Sequence, residues 1–215
     1  MSLTSNVCRR KSNSELALGR ILRRPLILGA SVSADHSAQS PGKVLSLRYT
    51  DPDQILVLAR HGQAGADLLT RLFDSHFKDR SIGIGVDLFF WDSTHHNPEL
   101  SLQAIATLES FVSKAKIPFI LGEIPVLMPQ YQPSVMVPNQ TLHRLAAENS
   151  NFHILKLNKI LNQILVSGSL TYRGRPYPLE TLIPDGLHLV EPANHFLADE
   201  ILEILVHRGD PTHSL

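Results

Sequence analysis

The chain predicts a doubly wound α/β fold: a parallel sheet of about five strands in a flavodoxin-like three-layer sandwich. Short apolar runs that read as strands recur along the sequence, and helix-like apolar periods separate them. Strands rich in apolar residues on both faces fit a parallel sheet covered on both sides. Right-handed crossovers then leave few topologies, of which the flavodoxin-like layout is the simplest.

The elements follow in order. Residues 1–20 are polar and lack periodicity, and read as a flexible basic tail, with Arg9, Arg10, Lys11 and Arg20 facing only Glu15. Residues 21–215 read as one domain. Leu26–Leu28 is the first strand. Ser40-Pro41 resembles an N-cap followed by proline at the first helical position, opening a helix with Val44, Leu45 and Tyr49. Ile55–Ala59 is the second strand, and a helical stretch runs from Ala66 to His76. Ile82–Phe90 reads as the third strand. Asn97-Pro98 caps a helix that places Leu102, Ile105, Leu108 and Val112 on one face. Ile117–Leu121 is the fourth strand, a helix lies near Gln140–Glu148, and Phe152–Leu157 is the fifth strand. The last helix starts at Pro192 and carries Phe196, Leu197, Ile201, Ile204 and Leu205 on one side. Two long segments, 122–138 and 167–186, read as loops rich in Pro and aromatic residues that could line or cover a pocket.

Composition narrows the function classes. Formal net charge is zero, so no global field argues for nucleic acid or an acidic substrate. The single cysteine, Cys8, rules out an intrachain disulfide and leaves the redox compartment open. No apolar run approaches the ~20 residues of a spanning helix. The chain reads as soluble, cytoplasmic by default, with secretion or periplasmic export open where a signal peptide had been removed. Its oligomeric state is left open. Adjacent histidines, as in His95-His96, rarely ligate one metal together, so neither a metal site nor a cofactor is expected.

In such sheets, sites form at the carboxyl ends of the strands. Four segments would share that edge. Gly29-Ala30-Ser31-Val32-Ser33 follows strand one, His61-Gly62-Gln63-Ala64-Gly65 follows strand two, and Asp92 follows strand three. Asp185-Gly186-Leu187-His188 precedes the last helix. An Asp three residues before a His can accept the imidazole Nδ1–H and leave Nε2 as a base. Such a base needs a nucleophile, and the Gly-bounded Ser31 offers one, with Ser33 as its rival. Asp87, inside an apolar strand, reads as a structural carboxylate. His195 reads as a helix-surface residue.

From about Pro25 to Leu205, the chain resembles the SGNH (GDSL-type) hydrolase family. The resemblance is carried by Gly29-Ala30-Ser31 in place of the first block, Gly-Asp-Ser, and by Asp185-Gly186-Leu187-His188 in place of Asp-x-x-His. It implies Ser31 as nucleophile, His188 as general base and Asp185 as the orienting acid. The family's second block offers an oxyanion-binding glycine, which implies Gly65 first and Gly62 second. Its third block is usually Gly-x-Asn-Asp, whose Asn donates to the oxyanion. Here Phe89-Phe90-Trp91-Asp92-Ser93 stands nearest by position, without an Asn. An ionised Asp92 cannot donate, so two alternatives stay open: Asp92 is held neutral by burial, or the donor is Ser93, Thr94 or the backbone there. Trp91, Tyr131 and Tyr172 are the expected substrate-binding aromatics.

The implied activity is hydrolysis of carboxylic esters, short acyl or carbohydrate acetyl, through an acyl-enzyme. Two alternatives stay open: an acyltransferase with the same intermediate, and a binding protein impaired by the missing Asn.

Overall fold

The computed structural model describes residues 13–94, 97–126 and 132–208. Five parallel strands form one sheet: β1 (Pro25–Gly29), β2 (Leu56–Ala59), β3 (Ile82–Gly85), β4 (Phe119–Gly122) and β5 (Phe152–Leu155). Their order is β2-β1-β3-β4-β5, the expected flavodoxin-like arrangement. Register is continuous, with Leu28 beside Leu58, Ile27 beside Ile84, Ile84 beside Ile120 and Leu121 beside Ile154.

Alternation along the strands splits the core in two. Leu26, Leu28, Phe119, Leu121 and Phe152 face one layer. That layer holds α3 (Gly65–Leu69), α4 (Asp74–Phe77), α5 (Pro98–Ala115) and α6 (Gln132–Glu148), which supply Leu68, Phe77, Leu108, Val112 and Leu142 among others. Ile82, Ile84, Ile120 and Leu155 face the other layer. There α1 (Asn13–Ile21), α2 (Pro41–Ser46) and α9 (Glu191–Arg208) bring Leu18, Val44, Leu45, Leu197, Ile201 and Leu205. Truncating any of these fully buried leucines to Ala would cost ~2–5 kcal/mol. The Asn97 side chain accepts the Glu99 N–H, capping α5 as its sequence predicts.

Several boundaries differ from the expectation, each for a physical reason. Strand three stops at Gly85, five residues short of Phe90. Leu88 and Phe89 are buried in the core but lie off the ladder, and Phe90–Thr94 is a 3₁₀ turn. An apolar run reports burial, not strand length. The supposed tail contributes α1, whose Leu18 is buried, while residues 1–12 lie outside the described residues. The stretch 66–76 divides into the short helices α3 and α4. Helix α6 begins at Gln132 and contains Pro138, in sequence that reads as loop. Strand five ends at Leu155, and an unexpected helix, α7 (Leu157–Ser167), follows.

The second supposed loop is also structured. It holds a hairpin, β6 (Ser169–Tyr172) with β7 (Arg175–Pro178), and the short helix α8 (Leu179–Leu182). Arg173 and Gly174 both have positive φ, 51° and 75°, the signature of a two-residue primed turn. Ile164 of α7, Leu170 of β6, Leu182 of α8 and Ala193 of α9 form a third, satellite cluster. Among the described residues, no helix is long and apolar enough to cross a membrane.

Candidate active site

The direction in which successive strands are added to the sheet reverses between the parallel neighbours β1 and β3. The crevice at their carboxyl ends is the expected ligand position in an open α/β sheet. Residues 30–36 leave β1 in a tight turn. Ala34 N–H donates to the Ala30 carbonyl at 3.0 Å and His36 N–H to the Ser31 carbonyl at 3.1 Å. The turn is fastened from β3. The buried Asp87 carboxyl, two residues beyond that strand, accepts the Val32 N–H at 2.8 Å, the Ser33 N–H at 3.3 Å and the Ser33 hydroxyl at 2.5 Å. Burial raises the pKa of Asp87 above the ordinary carboxylate value, against the opposing pull of these hydrogen bonds.

This arrangement separates the two candidate nucleophiles. The Ser33 hydroxyl is committed to Asp87 and lies 3.3 Å from the Leu28 carbonyl. Ser31 is also buried, but its hydroxyl makes no hydrogen bond among the described residues. Asp35 anchors the end of the turn, accepting the Ser40 N–H at 2.7 Å and pairing with Lys43 at 2.6 Å.

The second half of the site is the turn before α9. Asp185 Oδ1 accepts the N–H groups of Leu187 (2.9 Å) and His188 (2.7 Å), while Oδ2 meets His188 Nδ1 at 2.6 Å. Gly186 has φ +77°, so the turn needs a residue that tolerates the left-handed region. The backbone N–H of His188, then its ring, then the N–H of Leu187 hold the Asp185 carboxyl far below the usual carboxylate range. Asp185 is therefore ionised near neutral pH and suited to orient an imidazole with Nε2 as its free nitrogen.

The two turns meet through histidines. The His36 ring packs on the His188 ring, centroids 4.0 Å apart and tilted 36°. His36 Nδ1 also lies 2.8 Å from His61 Nδ1, on the loop after β2. No hydrogen bond links Ser31 to His188 among the described residues; contact between the turns runs through His36. Neither His36 nor His61 sits in a recognisable sequence spacing, so their pairing is legible only in the fold. Asp87, expected as a structural carboxylate, is the group that fastens the serine turn.

The expected oxyanion residues are otherwise engaged. Asp92 is buried and accepts the N–H of Gly65 at 2.6 Å, that of Ala66 at 3.2 Å and the Ser101 hydroxyl at 3.2 Å. Asp92 thereby serves the first N–H groups of α3, where a carboxylate is favoured. The Gly65 N–H is thus spent. An added Cβ at Gly65 would overlap the Phe89 ring and the Leu88 carbonyl, so close packing explains this glycine. Ser93 and Thr94 hydroxyls donate to the Phe90 and Trp91 carbonyls, each at 2.7 Å. The reason for the shift is the early end of β3: the residues just past it are Val86-Asp87, not Asp92. Gly62 has φ +66° and open space around it.

Two apolar spaces flank the site. One is a small cavity of about 130 Å³ between Val32, Val86 and Asp87 on one side and Leu161, Ile164, Leu170 and Phe196 on the other. The second, a cleft of about 730 Å³, shares Phe90, Leu161, Ile183 and Leu187 with it and extends along Trp91 and Asn158. Trp91 Nε1–H is buried without a hydrogen-bond partner among the described residues. Tyr172 lines neither space. Its hydroxyl donates to Asp199 of α9 at 2.7 Å and its ring meets Phe196 edge-on, so it fastens the hairpin to the domain. Tyr131, His95 and His96 lie outside the described residues. His195 lies 3.6 Å from Glu191 one turn earlier on α9.

No family model matches the chain, and no curated protein matches it in sequence. Solved structures do match in fold. The psychrotrophic esterase EstA from Pseudoalteromonas sp. is 19% identical at TM-score 0.57, covering 84% of this chain and 95% of its own. The acetylxylan esterase Axe2 from Geobacillus stearothermophilus is 15% identical at TM-score 0.59, covering 87% and 94%. A member of the lipolytic protein G-D-S-L family from Veillonella parvula is 15% identical at TM-score 0.57, covering 84% and 96%. The resemblance read from the sequence is thus matched, in fold, by solved proteins of the lipolytic G-D-S-L family.

Proposed function

We propose that the chain is an SGNH-type ester hydrolase in which Ser31 is the nucleophile, His188 the general base and Asp185 the group that orients it. One observation carries the reading. The Asp185–His188 pair, locked by its own backbone, stands against the turn whose only uncommitted serine hydroxyl is that of Ser31. A serine hydroxyl is a poor nucleophile near neutral pH without such a base. Ser31 Oγ attacks the ester carbonyl as His188 Nε2 takes its proton. The proton then passes to the departing alcohol as the ester C–O bond breaks, and water repeats the sequence to release the acid. Because no hydrogen bond joins Ser31 to His188 in the free protein, substrate binding must close that gap.

The Ser31 N–H donates to no group among the described residues and is the donor best placed for the oxyanion. The engagement of Gly65, Asp92 and Ser93 elsewhere argues against them in that role. The cavity walls favour an apolar acyl chain over a carbohydrate acetyl group, since Leu, Ile, Val and Phe side chains dominate them. Trp91, with its unpaired N–H, suits the alcohol portion in the wider cleft. A fluorophosphonate probe followed by peptide mapping tests the nucleophile, and a chromogenic ester series of increasing acyl length tests the pocket. A label on Ser31 and turnover of short to medium acyl esters are expected. A label on Ser33, or none together with no turnover, would overturn the reading.

A further inference from the structure

We propose that His36, Asp185 and His188 form a binding site for a divalent transition-metal ion of the zinc class, and that its occupancy silences His188. The silencing rests on His188 being the base proposed above; the binding does not.

The ligand atoms of the three residues all lie within 4.8 Å of one another. Two imidazoles and one carboxylate form a donor set suited to Zn²⁺ and its neighbours, whereas Mg²⁺ and Ca²⁺ prefer oxygen donors throughout. His36 and Asp185 are exposed, so an ion has an open approach. His188 Nδ1 and Asp185 Oδ2 are 2.6 Å apart, with only a proton between them. Zinc bonds of ~2.0–2.2 Å to both atoms require them to part to ~3 Å or slightly more, a small rotamer change. His61 supports the third ligand. Its Nδ1 lies 2.8 Å from His36 Nδ1, which fixes that ring and leaves Nε2 as the free nitrogen of His36.

The consequence for His188 follows from proton count. A neutral imidazole carries one N–H. When the ion takes Nδ1, the proton there passes through solvent to Nε2. That nitrogen then becomes a donor and can no longer accept the Ser31 proton. The metal-free chain would hydrolyse ester; the loaded chain would not, and a chelator would restore it.

Zn²⁺ affinity of the intact chain is measured by competition with a chromophoric chelator, in a Ser31→Ala background where no turnover intervenes. Separately, ester hydrolysis by the unsubstituted chain is titrated with Zn²⁺ and reversed with chelator. A single tightest site is expected, weakened at least ~10-fold by His36→Ala and by His36→Gln, with the Zn²⁺ needed for inhibition rising in parallel. Unchanged affinity in both His36 variants overturns the site. Weakened affinity, with full hydrolysis by the Zn²⁺-loaded chain, overturns the silencing. Absence of hydrolysis in the metal-free chain overturns the role of His188 as base, and the affinity measurement still decides whether the ion binds.

Discussion

The turn after β1 and the turn before α9 are built in opposite ways. The first is buried and owes its shape to a carboxyl 55 residues away, Asp87. The second is largely exposed and makes itself: Asp185 binds the backbone and ring of a residue three positions on. A self-contained turn survives changes elsewhere in the fold, whereas a turn fastened from another strand fails when the fastening fails. Substitutions in the two regions should therefore separate, with Asp185 changing rate and Asp87 changing stability and rate together.

The largest expected effect is Ser31→Ala. It should lower kcat/KM by ~10⁴–10⁶-fold with an unchanged far-ultraviolet circular dichroism spectrum. Ser33→Ala should retain most of the activity but leave the buried Asp87 carboxyl with one partner fewer, costing ~1–3 kcal/mol in urea denaturation. Equal loss of activity in the two variants would erase the distinction between a free and a committed hydroxyl.

Asp185→Asn comes next, with a fall in kcat of ~10²–10⁴-fold and little change in melting temperature. The depressed pKa of Asp185 sets its pH behaviour. What the carboxylate contributes to the turn is present above the ordinary carboxylate pKa, and is lost only as pH falls through the depressed value. Acidification to about pH 4 should leave the Asp185–His188 contact intact, as read from histidine ring signals in NMR. Loss of that contact near pH 4 would contradict the hydrogen bonds from Leu187 and His188.

Asp87 is expected to behave in the opposite sense. Its pKa is raised, so the folded state binds that proton more tightly than the unfolded chain does. The corresponding stability is full below the ordinary carboxylate pKa and declines as pH rises toward the raised value. Asp87→Asn should flatten this part of the stability–pH profile, and Asp87→Ala should cost ~2–4 kcal/mol at low pH and less as pH rises. A profile of unchanged slope in Asp87→Asn would remove Asp87 as its cause.

The smallest effect on catalysis is expected at Asp92. Asp92→Ala removes the acceptor for two N–H groups of α3, for a loss of ~1–2 kcal/mol in stability. Its kcat/KM should stay within ~10-fold of the parent, whereas loss of an oxyanion donor would cost ~10²–10³-fold. A drop of that larger size would return Asp92 to the reaction centre.

The same contrast explains what the sequence disclosed. Asp185-Gly186-Leu187-His188 was readable because its contacts are local, so residue type and spacing suffice. The strand order was readable because five buried runs separated by crossovers admit few parallel arrangements. Asp87 is visible only as a carboxylate in an apolar run, because its partners Val32 and Ser33 come from the turn after another strand, β1. The end of β3 is not legible, since Leu88 and Phe89 are as apolar as strand residues while packing outside the ladder. Counted as strand, those residues put Asp92 at the strand end, whereas its partners include Gly65, Ala66 and Ser101. His36 and His61 had no readable spacing, being joined only by the adjacency of β1 and β2.

The excursion from α7 through α8 has a consequence for how such a protein can change. It supplies Leu161, Ile164 and Leu170 to the small cavity, yet none of its residues belongs to the five-stranded sheet or supplies the hydrogen bonds by which Asp87 holds the serine turn. Tyr172 joins it to α9 through Asp199. The segment therefore acts as a replaceable liner. Its length and side chains can drift, reshaping the cavity, while the residues that hold the serine turn experience no new selection.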